Sequence, residues 1–244
     1  MRNAQVKKTL RNRLREINFL SRVWFFFKKV NSYKPSRQIK NVKVIKRGNY
    51  GNSFSFVPEL LNAKPIVYSF GVGGDVSFDL ALINEFNAEV YAFDPTPEVV
   101  NWVKENAGFS PNFHFYAYGL SDKDGSENFY MSQSDGAGWG TTIQGKNDKS
   151  VINVPMKRLI TIIKELKHEY IDILKIDIEG SEFLVVPDIL SSGVKFGQLC
   201  VEVHNRFYED GDERIKSLIS QLNNSGYYIA SVSPNYEELT FIKK

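Results

Sequence analysis

From residue 60 to its end the chain alternates short apolar runs with amphipathic stretches. Runs of strand length, rich in β-branched and aromatic residues, stand at 66–70, 89–93, 113–118, 171–178 and 199–203. Helical spacing lies between several of them. Val76, Leu80, Ile83 and Phe86 mark one helix face, and 97–105, 181–190 and 212–222 supply three more helices. Continuous apolar strands alternating with helices predict a parallel sheet covered on both faces, a doubly wound α/β fold. The end differs. Strands at 227–232 and 238–242 flank the turn Ser233-Pro234-Asn235-Tyr236, which predicts a C-terminal antiparallel hairpin on a mostly parallel sheet.

The first fifty residues break this pattern. Leu20, Val23, Phe27 and Val30 recur at helical spacing among basic residues, Lys34-Pro35-Ser36 ends that helix, and 47–52 reads as a linker. The chain therefore divides into a basic helical arm with linker, 1–50, and a body, 51–244. Charge follows the same division: 15 Lys and Arg against one acid in the arm, 16 against 27 in the body. Residues 17–27 are too few to span a bilayer, are interrupted by Arg22, and start too late for a secretory signal. Such an arm suits either an anionic membrane surface met through residues 1–30 or packing on the body. An overall 42% hydrophobic and 24% charged content is that of a soluble globular protein. The single cysteine, Cys200, excludes an internal disulfide framework and favours a reducing, cytoplasmic compartment. Oligomeric state leaves no mark in the sequence.

Candidate chemistry begins at the first strand end. Ser69-Phe70 runs into Gly71-Val72-Gly73-Gly74-Asp75 and then into a helix, where glycines let the backbone turn sharply and approach a ligand. Asp94-Pro95 closes the next strand, placing an acid where it would accept both ribose hydroxyls of an adenosine. The third glycine of a dinucleotide fingerprint falls on Val76, and Asp75 puts a carboxylate where a pyrophosphate needs a positive helix end. S-adenosylmethionine has no phosphate and carries two cationic groups, so it fits this turn better. Asp75 suits either helix capping or ligand contact. After the third strand, Gly119-Leu120-Ser121-Asp122 lies where an adenine edge would sit, with Ser121 or Asp122 facing its amine or forming an ordinary turn.

The stretch from Ile171 to Gly180 is the most informative. Alternation puts Lys175, Asp177 and Glu179 on one side of a strand, and Glu202 with His204 on one side of the next. Burying such groups is costly unless they are paired, and open α/β sheets bind ligands at these strand ends. The expectation is that Lys175 and Glu202 are structural, while Asp177, Glu179 and His204 are functional.

Lys175-Ile176-Asp177-Ile178-Glu179-Gly180-Ser181-Glu182 resembles the K-x-D-x-E-G-x-E signature of FkbM-type methyltransferases. Glu202-Val203-His204 is similar to their following E-x-H strand, and Gly119-Leu120-Ser121 to their turn after the third strand. The resemblance covers about residues 60 to 244. It implies the class I methyltransferase fold (Rossmann-like), S-adenosylmethionine as cofactor, and O-methylation of a sugar, glycan or other hydroxylated small molecule. Two positions depart from the family: Ser69 stands where its first motif carries Asp, and Asp75 where it carries Gly. Asp75 or Asp177 would then hold the methionine amino group.

Methyl transfer to a hydroxyl needs that hydroxyl's proton removed. His204 is the first candidate base, because imidazole titrates near neutrality, and Asp177 and Glu179 follow. A metal held by Asp177, Glu179 and His204 is a further reading, but their spacing does not demand one, and none is assigned. In the glycine-rich loop 134–142, Trp139 would stack on a flat acceptor face or pack on the body, and Thr141 would face the acceptor. Two other readings differ in class. One is a non-catalytic binding protein on the same fold, tethered by its arm; cofactor affinity distinguishes it. The other, a nucleic-acid methyltransferase, is disfavoured by the acidic body and the absence of an Asn/Asp-Pro-Pro-aromatic motif after the fourth strand.

Overall fold

Two short strands, β1 (Ile45–Arg47) and β2 (Phe54–Phe56), pair antiparallel in the computed structural model, which describes residues 33–49, 51–107, 110–131, 140–144 and 150–244. The stretch 47–52, expected as a linker, includes the turn of this hairpin. Contacts divide the chain into Met1–Lys34 and Pro35–Lys244, and the strands and helices given below belong to the second unit. The arm helix expected at 1–30, and Trp139, lie outside the described residues.

The central sheet follows. Parallel strands β3 (Ile66–Phe70), β4 (Glu89–Phe93) and β5 (Phe113–Tyr116) alternate with helices α1 (Ser77–Phe86) and α2 (Pro97–Asn106). Further along come β6 (Gly119–Leu120), β7 (Gly125–Met131), β8 (Gly140–Thr141), β9 (Ser150–Lys157), α3 (Leu159–Glu165), β10 (Ile171–Ile176), α4 (Glu182–Ser192), β11 (Phe196–Glu202), α5 (Gly211–Asn224), β12 (Tyr227–Val232) and β13 (Glu238–Lys243). Seven strands form one sheet in the order β12-β13-β11-β10-β3-β4-β5. Every pair from β11 to β5 is parallel, and β13 enters antiparallel between β11 and β12. This is the expected doubly wound sheet with its terminal hairpin, the class I methyltransferase fold.

Side-chain pattern explains most elements. Pro97 opens α2 at a position where a missing amide hydrogen costs nothing. Helix α5 buries Ile215, Leu218, Ile219 and Leu222, the spacing of one helical face. Helix α1 turns further than its sequence suggests: Phe78, Leu82 and Ile83 are buried, whereas Leu80 and Phe86 are only partly so. Strand β10 is buried along its whole length, so its charged residues need partners. Asp172 accepts the amides of Asn62 and Ile66, each at 2.9 Å. Gln198 on β11 exchanges hydrogen bonds with both backbone groups of Val57 at 2.8 and 3.0 Å, fastening the β2 segment to the sheet.

One layer was not expected. Strands β6, β9, β7 and β8 form a separate four-stranded sheet between β5 and β10 in the chain. Only one of its faces is apolar, with Phe129, Met131, Val154 and Met156 buried together.

Candidate functional site

Three strand ends converge on one cavity of about 260 Å³. Its wall is built from the turn after β3 (Gly71 to Gly74), from Asp94 after β4, and from Asp177 to Glu179 after β10. Gly119, Leu120, Phe129 and Met156 of the second sheet close the opposite side.

The glycine turn is a backbone necessity. Gly71 has φ +78°, and a Cβ there would lie 1.7 Å from the Asp177 carbonyl oxygen, so only glycine lets the turn pass the end of β10. Gly73 has φ +57° with open space where a Cβ would point. Its amide donates to Asp94 Oδ2 at 3.0 Å, and the Thr96 amide donates to Asp94 Oδ1 at 2.9 Å. Burial raises the Asp94 pKa, and these two amides counter it. Each carboxylate oxygen keeps a further acceptor site for a ribose hydroxyl.

Lys175 links the turn to the acids. Its Nζ donates to Gly71 O at 2.5 Å and lies 3.6 Å from Asp177 Oδ2. Its other charge partner is Asp79, fully buried on α1, whose pKa burial pushes up to about 6 while the Lys175 charge opposes the shift. Ser69 pairs with Lys175 in the β3–β10 register and is completely buried. Asp79 is fully buried and does not line the cavity. Among the described residues the cavity wall includes Asp177 but neither Ser69, Phe70 nor Asp75. Asp75 instead accepts the Ser77 amide at 2.6 Å and the Asn49 side chain at 3.0 Å, so it braces the turn before α1, whose N-cap residue is Val76.

Beyond Ile176 the chain leaves strand geometry. Asp177 keeps one ladder bond, its amide donating to Phe70 O at 3.1 Å. Glu179 adopts φ +52°, uncommon for a residue with a side chain. It is held there because Thr141 Oγ1 donates to its carbonyl at 2.5 Å, while the neighbouring Gly180 amide donates to Glu182 Oε1 at 3.1 Å. Thr141 is therefore a clamp on Glu179 and lies off the cavity wall; its neighbour Thr142 lies on the wall and bonds Ser181 Oγ at 2.6 Å. Burial raises the Glu179 pKa, which makes this carboxylate a better proton acceptor than an exposed one.

His204 sits behind these acids, with 1% of its side chain exposed. Its Nδ1 meets Glu182 Oε1 at 2.8 Å, and its Nε2 lies 3.3 Å from Glu179 Oε2 and 3.8 Å from Asp177 Oδ1. Burial pulls its pKa down, but the hydrogen bond and charge of Glu182, with the charges of Glu179 and Asp177, prevail and lift it to about 9. Glu202, expected to be purely structural, reaches the same cluster, its Oε1 3.5 Å from His204 Nε2, and burial pushes its pKa up.

Where an adenine edge was expected, Gly119 and Leu120 line the cavity, and a Cβ on Gly119 would press on Met156 and Pro95. Ser121 turns away, donating to Glu127 at 2.5 Å and to Asp122 at 3.2 Å. Sequence reasoning missed Glu182, Phe129, Met156 and Thr142. Glu182 was legible as the last acid of the Lys175-to-Glu182 signature, and its full burial at the start of α4 requires a donor. The two apolar residues carried no signal until the second sheet folded over the cleft.

The wall suits one kind of adenosine cofactor. Among the described residues it carries Asp94, Asp177 and Glu179 and no lysine or arginine, a lining that repels phosphates and accepts cationic groups. The fold and this cleft define a class I methyltransferase. A family model described as the methyltransferase FkbM domain matches residues 46–229, and the chain belongs to that family. It is an S-adenosylmethionine-dependent methyltransferase, and S-adenosylmethionine is its cofactor. No curated protein matches it. Among solved structures it is similar to the Methanococcus jannaschii fibrillarin pre-rRNA processing protein, with 11% identity, 87% of this chain and 88% of that one covered, and TM-score 0.48. It is also similar to an rRNA methylase from Streptococcus thermophilus, with 12% identity, coverage of 76% and 90%, and TM-score 0.42. For M. capricolum TrmK in complex with S-adenosyl-homocysteine the figures are 12%, 76% and 63%, and 0.42. Likenesses this distant do not bear on the acceptor.

Proposed function

We propose that the protein O-methylates a hydroxyl group of a sugar, glycan or other hydroxylated small molecule. The observation that carries this reading is the Glu179 carboxylate, partly buried on the wall of the cofactor cleft with its pKa raised by burial. S-adenosylmethionine, when bound, supplies an electrophilic methyl group on a sulfonium. The residues of this chain do the rest. Asp94 would receive the ribose hydroxyls, Gly119 and Leu120 would flank the adenine, and Asp177 would face the cationic methionine end. Glu179 would take the proton released as the acceptor oxygen bonds to the methyl carbon and the sulfur–carbon bond breaks, leaving S-adenosylhomocysteine.

His204 serves here as a positioning residue. It does not line the cavity, and in the absence of a bound cation the surrounding carboxylates hold its pKa up to about 9. From behind the wall its Nε2 faces the Glu179 and Asp177 carboxylates at 3.3 and 3.8 Å.

The test is methyl transfer from labelled S-adenosylmethionine to a glycan and lipid extract, comparing wild type with Glu179→Gln. Label should enter hydroxylated acceptors, and kcat should fall about 100-fold or more in the variant. Unchanged turnover in Glu179→Gln would remove Glu179 as the base. Label found only on amine acceptors would overturn O-methylation.

A further inference from the structure

We infer that Asp177, Glu179 and His204 form a binding site for one divalent metal cation at the floor of the cleft. One ligand atom from each lies within 4.8 Å of the others. His204 Nε2 is 3.3 Å from Glu179 Oε2 and 3.8 Å from Asp177 Oδ1. Ligands about 2.1 Å from a shared ion stand roughly 3 to 4 Å apart, and the two distances from His204 Nε2 to the carboxylates fall in that range.

A second observation points the same way. His204 is almost fully buried, yet its Nε2 has no aligned hydrogen-bond partner among the described residues, and neither has Glu179 Oε2. Both atoms are aimed at the same small space. The other imidazole nitrogen is committed: Nδ1 bonds Glu182 Oε1, which the amides of Ile178 and Gly180 also hold, at 3.2 and 3.1 Å. A carboxylate fixing one ring nitrogen so that the other faces a metal is the usual outer-shell arrangement around ligating histidines. Glu202 Oε1, 3.5 Å from Nε2, supplies a further oxygen within reach.

One imidazole with carboxylates and no thiolate favours a cation of borderline to hard character, such as Mn²⁺. The site itself does not depend on the proposed O-methylation; its role does. An acceptor hydroxyl ligated there would be more acidic, and ligation of Glu179 through one oxygen leaves the other free for the released proton.

Titration of the tag-free, full-length protein with Mn²⁺, followed by the paramagnetic resonance signal of the free ion, tests this, with Mg²⁺ and Zn²⁺ as competitors. About one Mn²⁺ per chain should bind. Glu179→Gln and Asp177→Asn should each weaken it about tenfold or more, and Glu182→Gln, outside the shell, by about tenfold. Should one variant fail to fold by circular dichroism, the others decide. Binding of none of the three cations, or Mn²⁺ binding unchanged in folded variants, overturns the site. Methyl transfer to hydroxyls is measured on the same preparation. Transfer without cation binding would sink this site alone, whereas cation binding with transfer only to amines would sink the O-methylation reading alone.

Discussion

Lys175 is the residue on which most of the cleft converges. It is 5% exposed, holds Gly71 O, lies 3.6 Å from Asp177 Oδ2, and its charge favours the ionised form of Asp79. Lys175→Met should destabilise the protein by about 3 kcal/mol, since it leaves two acids without their counter-charge, and should weaken cofactor binding. Urea denaturation and calorimetry would show both; loss of neither would mean the lysine is dispensable. Asp79 gives a prediction in pH. Burial lifts its folded pKa to about 6 from an ordinary 3.8, so the native state binds the proton more tightly than the unfolded chain. Its ionisation therefore costs stability above pH 6, and this penalty fades as pH falls from 6 towards 4. The stability of Asp79→Asn relative to wild type should drop by on the order of 2 kcal/mol between pH 7 and pH 4.5. A flat difference across that range would contradict the assignment.

At this scale two expectations meet a different geometry in the fold. Period-2 alternation placed Lys175, Asp177 and Glu179 together, but β10 ends at Ile176 and Glu179 turns through a left-handed conformation. Alternation says nothing past a strand's last residue. His204 looked like a base because imidazole titrates near neutrality; four surrounding acids, scattered from 177 to 202, change that, and only the fold collects them.

Among elements, the turn between β3 and α1 makes the clearest claim. Gly71→Ala places a methyl group into the Asp177 carbonyl and strains φ, while Gly73→Ala meets only the strain of a positive φ. Gly73→Ala should cost about 1 kcal/mol. Gly71→Ala should cost at least about 3 kcal/mol, because the backbone of two strands must part. Thermal unfolding of the two variants checks the order, and equal losses would refute the close approach. The parallel strands and the terminal hairpin were legible because their apolar runs are long and bounded. The second sheet was not: in β9 only Val154 and Met156 are buried among exposed neighbours, a pattern too sparse to separate from loop.

At the scale of the whole molecule, strand order does the assembling. Placing β10 beside β3, and β3 beside β4, brings Asp177, the glycine turn and Asp94 to one edge from positions far apart in the chain. No described helix is long and apolar enough to cross a membrane. The sequence carried the three strand ends and their order of use, but the lid over them came from a sheet it did not announce.

Isothermal calorimetry of S-adenosylmethionine binding tests the cleft most directly, with wild type and Asp94→Asn compared at matched folding. Wild type should bind about one S-adenosylmethionine with a negative heat-capacity change and should show no binding of NAD. Asp94→Asn should bind at least tenfold more weakly, as loss of hydrogen bonds to a charged group requires. A folded wild type that takes up no S-adenosylmethionine, or an Asp94→Asn variant that binds it as tightly, would contradict the cofactor site described here.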